Sequence, residues 1–221
     1  MKKVLFTLIL GLSNISYAQN IAQQVWLETS LKCPISKRWS CASELNQRYD
    51  SYGLTTFFPQ ISIKCKLKKW LRPSIDYRWI MSRSYLDPYT SSHRINGNLE
   101  VALAKKRFDL GLRVRYQHVF SRNIASYDSE FDQCWRLKLA CGYDINHFLL
   151  SPMFSAEVFY DPMNHPQGRQ FTRIRCFGGF NFDLNSNHKL SAGMYLDQWI
   201  NSAPKSRLMY VFSYGYTLGK N

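Results

Sequence analysis

The strongest constraint on this chain is strict two-residue alternation. From Phe108, the stretch FDLGLRVRYQH sets Phe108, Leu110, Leu112, Val114, Tyr116 and His118 in one phase. Asp109, Gly111, Arg113, Arg115 and Gln117 fall in the other. A period of two belongs to a β-strand, whose successive side chains leave on opposite faces. The pattern recurs, and the predicted strands are 24–33, 39–49, 59–67, 71–81, 93–103, 108–120, 133–145, 148–160, 171–184, 188–198 and 207–218. Almost nothing carries helical periodicity, so the expected class is all-β.

Tight connections fall at PISKR (34–38), KKW (68–70), AKKR (104–107), NH (146–147) and NSN (185–187). Longer polar connections are expected at 50–58, 82–92, 121–132, 161–170 and 199–206. Short and long take turns, so an antiparallel up-and-down barrel would carry all its short turns at one end. Outer-membrane barrels have that asymmetry. The count is awkward, because bacterial single-chain barrels have even strand numbers. The reading is therefore ten to twelve strands: either 24–33 stays outside the closure, or a strand is missed or a turn misplaced.

The two phases differ in chemistry. One holds runs such as Ile61, Ile63, Cys65 and Leu67, or Leu208, Tyr210, Phe212, Tyr214, Tyr216 and Leu218. The other holds Glu44, Arg48, Lys64, Asp76, Arg78, Arg94, Glu100, Arg113, Arg115, Arg136, Lys138, Glu157, Arg173 and Arg175, with Gly111, Gly142, Gly179 and Gly215 among them. A soluble lipocalin-like barrel would bury the apolar phase. Three observations favour the reverse, a transmembrane barrel with the charges inside. Many strands reach ten residues, enough to cross a bilayer when tilted. Aromatic residues (Trp39, Trp70, Trp79, Trp135, Tyr160, Phe182) sit near strand ends, as interfacial girdles require. The charged phase mixes long side chains with glycine, which suits a narrow lumen better than a solvated exterior.

The first residues, MKKVLFTLILGLSNISYAQN, have the form of a secretory signal. Lys2 and Lys3 precede an apolar core, Val4 to Leu12, that is too short for a membrane helix of about 20 residues. Ser16 and Ala18 suit the −3 and −1 positions of a cleavage site before Gln19. The expected organisation is a signal peptide over 1–18 and one barrel domain over 19–221. The formal charge of +14 falls by two on cleavage, to +12. Export and the lack of a long basic block argue against nucleic acid as the partner of that charge.

The six cysteines form no CxxC pair, so neither a zinc site nor a thioredoxin-like motif is indicated. Most share the apolar phase of their strands and read as small hydrophobes. A hairpin centred near Lys37 would set Cys33 opposite Cys41, and export permits a disulfide there.

In their order along the chain, WLE (26–28), ELNQR (44–48), YRW (77–79), HR (93–94), LRVRYQ (112–117), AEVF (156–159), RIR (173–175) and the ending YGYTLGK are suggestive. The chain resembles the outer-membrane barrel family catalogued as domain of unknown function 2490, over essentially its whole mature length. The resemblance implies a Gram-negative outer-membrane barrel exported through the Sec pathway, with no established activity. Its expected partners are outer-membrane lipid and lipopolysaccharide, and the barrel-assembly machinery during biogenesis. The last strand departs from the usual C-terminal targeting pattern, because Asn221 rather than an aromatic residue is terminal.

Three functions follow as expectations. In the first, an ion-pair network fills a small lumen and the barrel is a non-catalytic scaffold or a base for loops. Candidate pairs are Arg48 with Glu44, Arg78 with Asp76, and Arg113 and Arg115 with Glu100 or Glu157. In the second, the basic excess lines a narrow anion-preferring pore. In the third, the barrel is an outer-membrane lipid hydrolase using His118, Ser121 and Asn123. That reading fails on phase, because Ser121 would face away from His118 if the strand continued, and nucleophile and base must meet within about 3 Å. Asp161 and Asp197 lie near predicted loops, but too few oxygen ligands accompany them to hold Ca²⁺. No catalytic set, cofactor or metal site is indicated.

Overall fold

Strands alternating β-branched and aromatic residues with polar ones must pair with neighbours to satisfy their backbone groups. A computed structural model describes residues 21–83, 85, 87–120, 133–146, 148–163, 169–200 and 206–219. Within them the chain forms eleven strands: β1 (Ala22–Pro34), β2 (Trp39–Asp50), β3 (Gly53–Cys65), β4 (Leu71–Ser82), β5 (Thr90–Lys105) and β6 (Phe108–Phe120), then β7 (Gln133–Tyr143), β8 (Leu150–Asp161), β9 (Gln170–Asp183), β10 (His188–Trp199) and β11 (Ser206–Thr217). Each pairs antiparallel with the next, and β11 returns to β1 to close the barrel. The expected signal peptide, 1–18, lies outside the described residues.

The parity problem resolves in a way the sequence reading did not foresee. Among the described residues there are eleven strands, and all of them enter the barrel. An odd number of alternating strands leaves the first and last pointing the same way, so the seam between β1 and β11 is parallel, from Ala22↔Arg207 to Lys32↔Thr217. The up-and-down order holds everywhere else. Ala22 and Thr217 consequently lie at opposite ends of the barrel.

One connection was misplaced. The expected long stretch 50–58 is a tight turn at Ser51 and Tyr52, and β3 begins at Gly53. The Tyr52 N–H donates to Asp50 Oδ1 (2.8 Å), an Asx turn, and Gly53 takes φ of +92°, which costs glycine little. Thr55, Thr56, Phe57 and Phe58, read as loop, extend the strand instead. Strict alternation of short and long connections therefore breaks at this one hairpin.

The end carrying the β1–β2, β3–β4, β5–β6, β7–β8 and β9–β10 connections is called here the turn end, and the other the loop end. Outside, the belt between them is apolar: Ile61, Ile75, Leu99, Leu139, Phe154 and Phe212 are all exposed, Ile75 by 65%. Trp39, Trp70 and Phe108 ring it near the turn end, and Trp79, Trp135 and Phe171 near the loop end. A tyrosine–histidine hydrogen bond sits at each rim, Tyr77 with His93 (2.8 Å) and Tyr214 with His188 (2.7 Å).

The interior has an apolar wall beside the parallel seam. Trp26, Met209 and Val211 form a buried cluster against which Tyr195 packs, and the Phe177 ring lies tilted against Tyr195 with centroids 4.6 Å apart. The Phe177 ring lies over the facing pair Gly179↔Gly193. A Cβ on Gly193 would stand 2.6 Å from both the Gly178 carbonyl oxygen and the Phe177 ring, so the wall admits no side chain at that point.

Candidate functional site

A side chain on alternate positions of every strand points inward, so charges far apart in sequence converge inside the barrel. They surround a cavity of about 530 Å³. All fourteen charged residues expected in the interior line it: Glu44, Arg48, Lys64, Asp76, Arg78, Arg94, Glu100, Arg113, Arg115, Arg136, Lys138, Glu157, Arg173 and Arg175. Glu28 and Lys32 join them. Among the described lining residues, eleven are Lys or Arg and five are Asp or Glu, so the cavity carries a fixed positive excess.

Of the expected pairs, Arg113 with Glu157 is present, whereas Asp76 and Arg78 find other partners. Asp76 meets Arg115 (3.2 Å) rather than Arg78, and Asn98 donates to the same Asp76 oxygen (2.8 Å). Arg78 donates to Gln60 Oε1, and Gln60 in turn donates to Glu44 (2.9 Å), so an amide bridges guanidinium and carboxylate. Glu157 binds two arginines, Arg113 at 2.9 Å and Arg136 at 2.7 Å. Glu100 takes Lys64 (2.8 Å), with Arg72 at 3.8 Å. The reason is register. Nearest neighbours across a sheet are set by strand pairing, which nearness in sequence, the basis of the Arg78–Asp76 expectation, does not report.

Asp197, read as a loop-side acid, is fully buried and bonds Arg175 Nη2 through Oδ2 at 2.8 Å, with Arg173 at 3.5 Å. Asp197 and Glu28 are interior carboxylates outside the expected set. The phase of Asp197 with Tyr195 and Gly193 could have placed it. Asp161 is also fully buried. Among the described residues no group of His, Cys, Asp or Glu could hold a metal ion.

Aromatic faces take up much of the remaining guanidinium surface. Phe159 is sandwiched between Arg136 (4.4 Å) and Arg173 (4.1 Å), and Phe58 between Arg78 (4.2 Å) and Arg48 (4.9 Å). Arg48 also lies over Trp26 at 4.0 Å. Arginine tolerates this, being planar and weakly hydrated, and a desolvated cation–π contact contributes about 2 kcal/mol. These layers belong to the loop-end half. There Arg94, Arg207, Asn96 and Asp197 are almost wholly buried although they point into the barrel. Nearer the turn end the inward side chains are partly open, Lys64 at 42% and Glu100 at 29%.

The strand pairing also orders the charges. Following the register from β4 to β11, one inward residue per strand reads Arg72, Glu100, Arg113, Lys138, Glu157, Arg175, Asp197, Arg207. This is a continuous ladder across eight strands, alternating in sign except at Arg113 and Lys138.

Cys33 stands opposite Cys41 in the β1–β2 register, as the hairpin centred near Lys37 requires, and both are free thiols in the structure. His118 lies on β6 among the outward positions, edge-on to Phe120. Ser121 and Asn123 lie outside the described residues.

Among the described residues, the structure defines a closed eleven-stranded barrel with charges inside and an apolar belt outside. The chain belongs to the family described as "Protein of unknown function (DUF2490)", whose sequence model matches residues 23–209. No curated protein matches it. A solved structure from work on "the Mechanism Behind the in-meso Crystallization of Membrane Proteins" is similar at 11% identity, with 85% of this chain and 79% of that one covered and a TM-score of 0.44.

Proposed function

We propose that this protein is an outer-membrane barrel whose lumen is sealed in its loop-end half, serving as a non-conducting, non-catalytic scaffold for its loops. Inverted polarity carries the membrane reading. Ile61, Ile75, Leu139 and Phe154 face outward more than half exposed, while Arg94, Glu157 and Asp197 are buried inside. Leaving such side chains in water forgoes about 1.5–3 kcal/mol each. Burying ions costs several kcal/mol each before pairing offsets it. The arrangement is stable only where the surroundings are themselves apolar. Girdles of aromatic residues at both rims suit the two interfaces of a bilayer. The turn end would face the periplasm and the loop end the outside.

The seal is supported by the near-complete burial of the inward Arg94, Asn96, Asp197 and Arg207 in the loop-end half, and by the arginine–aromatic layers and the Arg175–Asp197 and Arg136–Glu157 pairs there. A second reading, a narrow anion-selective pore, draws on the basic excess around the cavity. Single-channel recording in a planar bilayer tests between them. The sealed barrel predicts no resolvable conductance from the folded protein. A steady, anion-selective current would overturn the seal.

A further inference from the structure

The charge ladder inside the barrel alternates in sign at every step but one. Arg113 and Lys138 are directly opposite each other in the β6–β7 register. Like charges in that position repel. At every other step of the ladder a base faces an acid. Among the described residues the Lys138 ammonium has no hydrogen-bond or ion-pair partner. Its other neighbour, Glu157, is held by Arg113 and Arg136. Arg113 gives one nitrogen to Glu157, and its buried Nε–H makes no hydrogen bond. Both residues line the cavity.

We propose that a small oxyanion, a carboxylate or phosphate group, occupies the step between Arg113 and Lys138 and supplies the missing negative charge. The approach is open. The next inward positions toward the turn end are Gly111 and Ala140, then Asp109 and Gly142, so little side chain stands between the step and that mouth. The wider excess of basic lining residues draws anions into the cup, where low-dielectric walls focus the field. Two donors from adjacent strands then give the short charge-assisted bonds that hold an oxyanion in place.

The test is calorimetric titration of the folded full chain in neutral detergent, with inorganic phosphate and with acetate as separate probes, at ionic strength held constant by sodium chloride. Saturable binding of one anion per barrel is expected, and the stronger probe tells whether the site suits phosphates or carboxylates. Lys138→Met should weaken it about tenfold or more. Ala140→Leu, which narrows the approach without touching a charge, should weaken it too. Lys37→Met removes a charge from the exterior and should change nothing. Circular dichroism and heat-modifiable gel mobility confirm folding, and Lys138→Met decides if the leucine variant does not fold. No binding above the chloride background, or equal binding by Lys138→Met, would overturn the proposal. So would an equal loss in Lys37→Met, which would mean a diffuse basic surface. The proposal rests on the barrel reading above, yet the two fail separately. A conducting barrel that binds phosphate loses its seal and keeps this site. A silent one that binds nothing loses only the site.

Discussion

Glu157 shows how much one inward carboxylate holds. It is buried and accepts from both Arg113 and Arg136. Glu157→Gln would leave two cations and Lys138 around a neutral amide. Removing one member of a buried ion pair costs about 3–5 kcal/mol. Guanidinium unfolding of the variant in detergent should show a loss of that order. A loss below about 1 kcal/mol would mean these ions are hydrated as at a protein surface. Gly193 fails differently. Its Cβ would collide with a backbone oxygen, which cannot turn aside as a side-chain tip can. Gly193→Ala should destabilise by about 1–3 kcal/mol in the same assay, through overpacking. That Glu157 and Arg113 point inward was legible from their phase in the sequence. That they touch was one of several pairings left open, because the partners are 44 residues apart and meet only through the β6–β7–β8 register.

For single strands, the outward belt is the testable feature. Leu137 lies mid-strand on β7, opposite Val114 and Val158. If lipid surrounds it, Leu137→Arg places a guanidinium near the bilayer midplane and costs about 2–4 kcal/mol. Unfolding from lipid vesicles measures this, whereas a barrel in water would feel almost nothing. The β2–β3 hairpin shows where pattern reading slips. Polar Asp50, Ser51 and Tyr52 look like the start of a long loop. The turn is instead closed by one side-chain hydrogen bond and one glycine, and β3 resumes at once. Gly53→Ala, at φ of +92°, should cost about 1 kcal/mol.

At the scale of the molecule, the odd strand number has an orientation consequence. Ala22 begins at the loop end and Thr217 finishes at the turn end. If the turn end is periplasmic, an epitope inserted at Pro88, exposed in the β4–β5 connection, should be reached by antibody on intact cells. One inserted at Lys37 should need permeabilised cells. The opposite labelling would reverse the orientation proposed here.

Alternation alone determined that this chain makes strands, roughly where, and which side chains share a face. Phase is a local property, and a two-residue period survives without any neighbour. Only the tertiary structure decided that eleven strands close on a parallel seam, that Asp197 is an interior ion, and that a single ladder of charge runs from Arg72 to Arg207. Those follow from register, the stagger of one strand against the next, and register is set by the closure of the whole sheet.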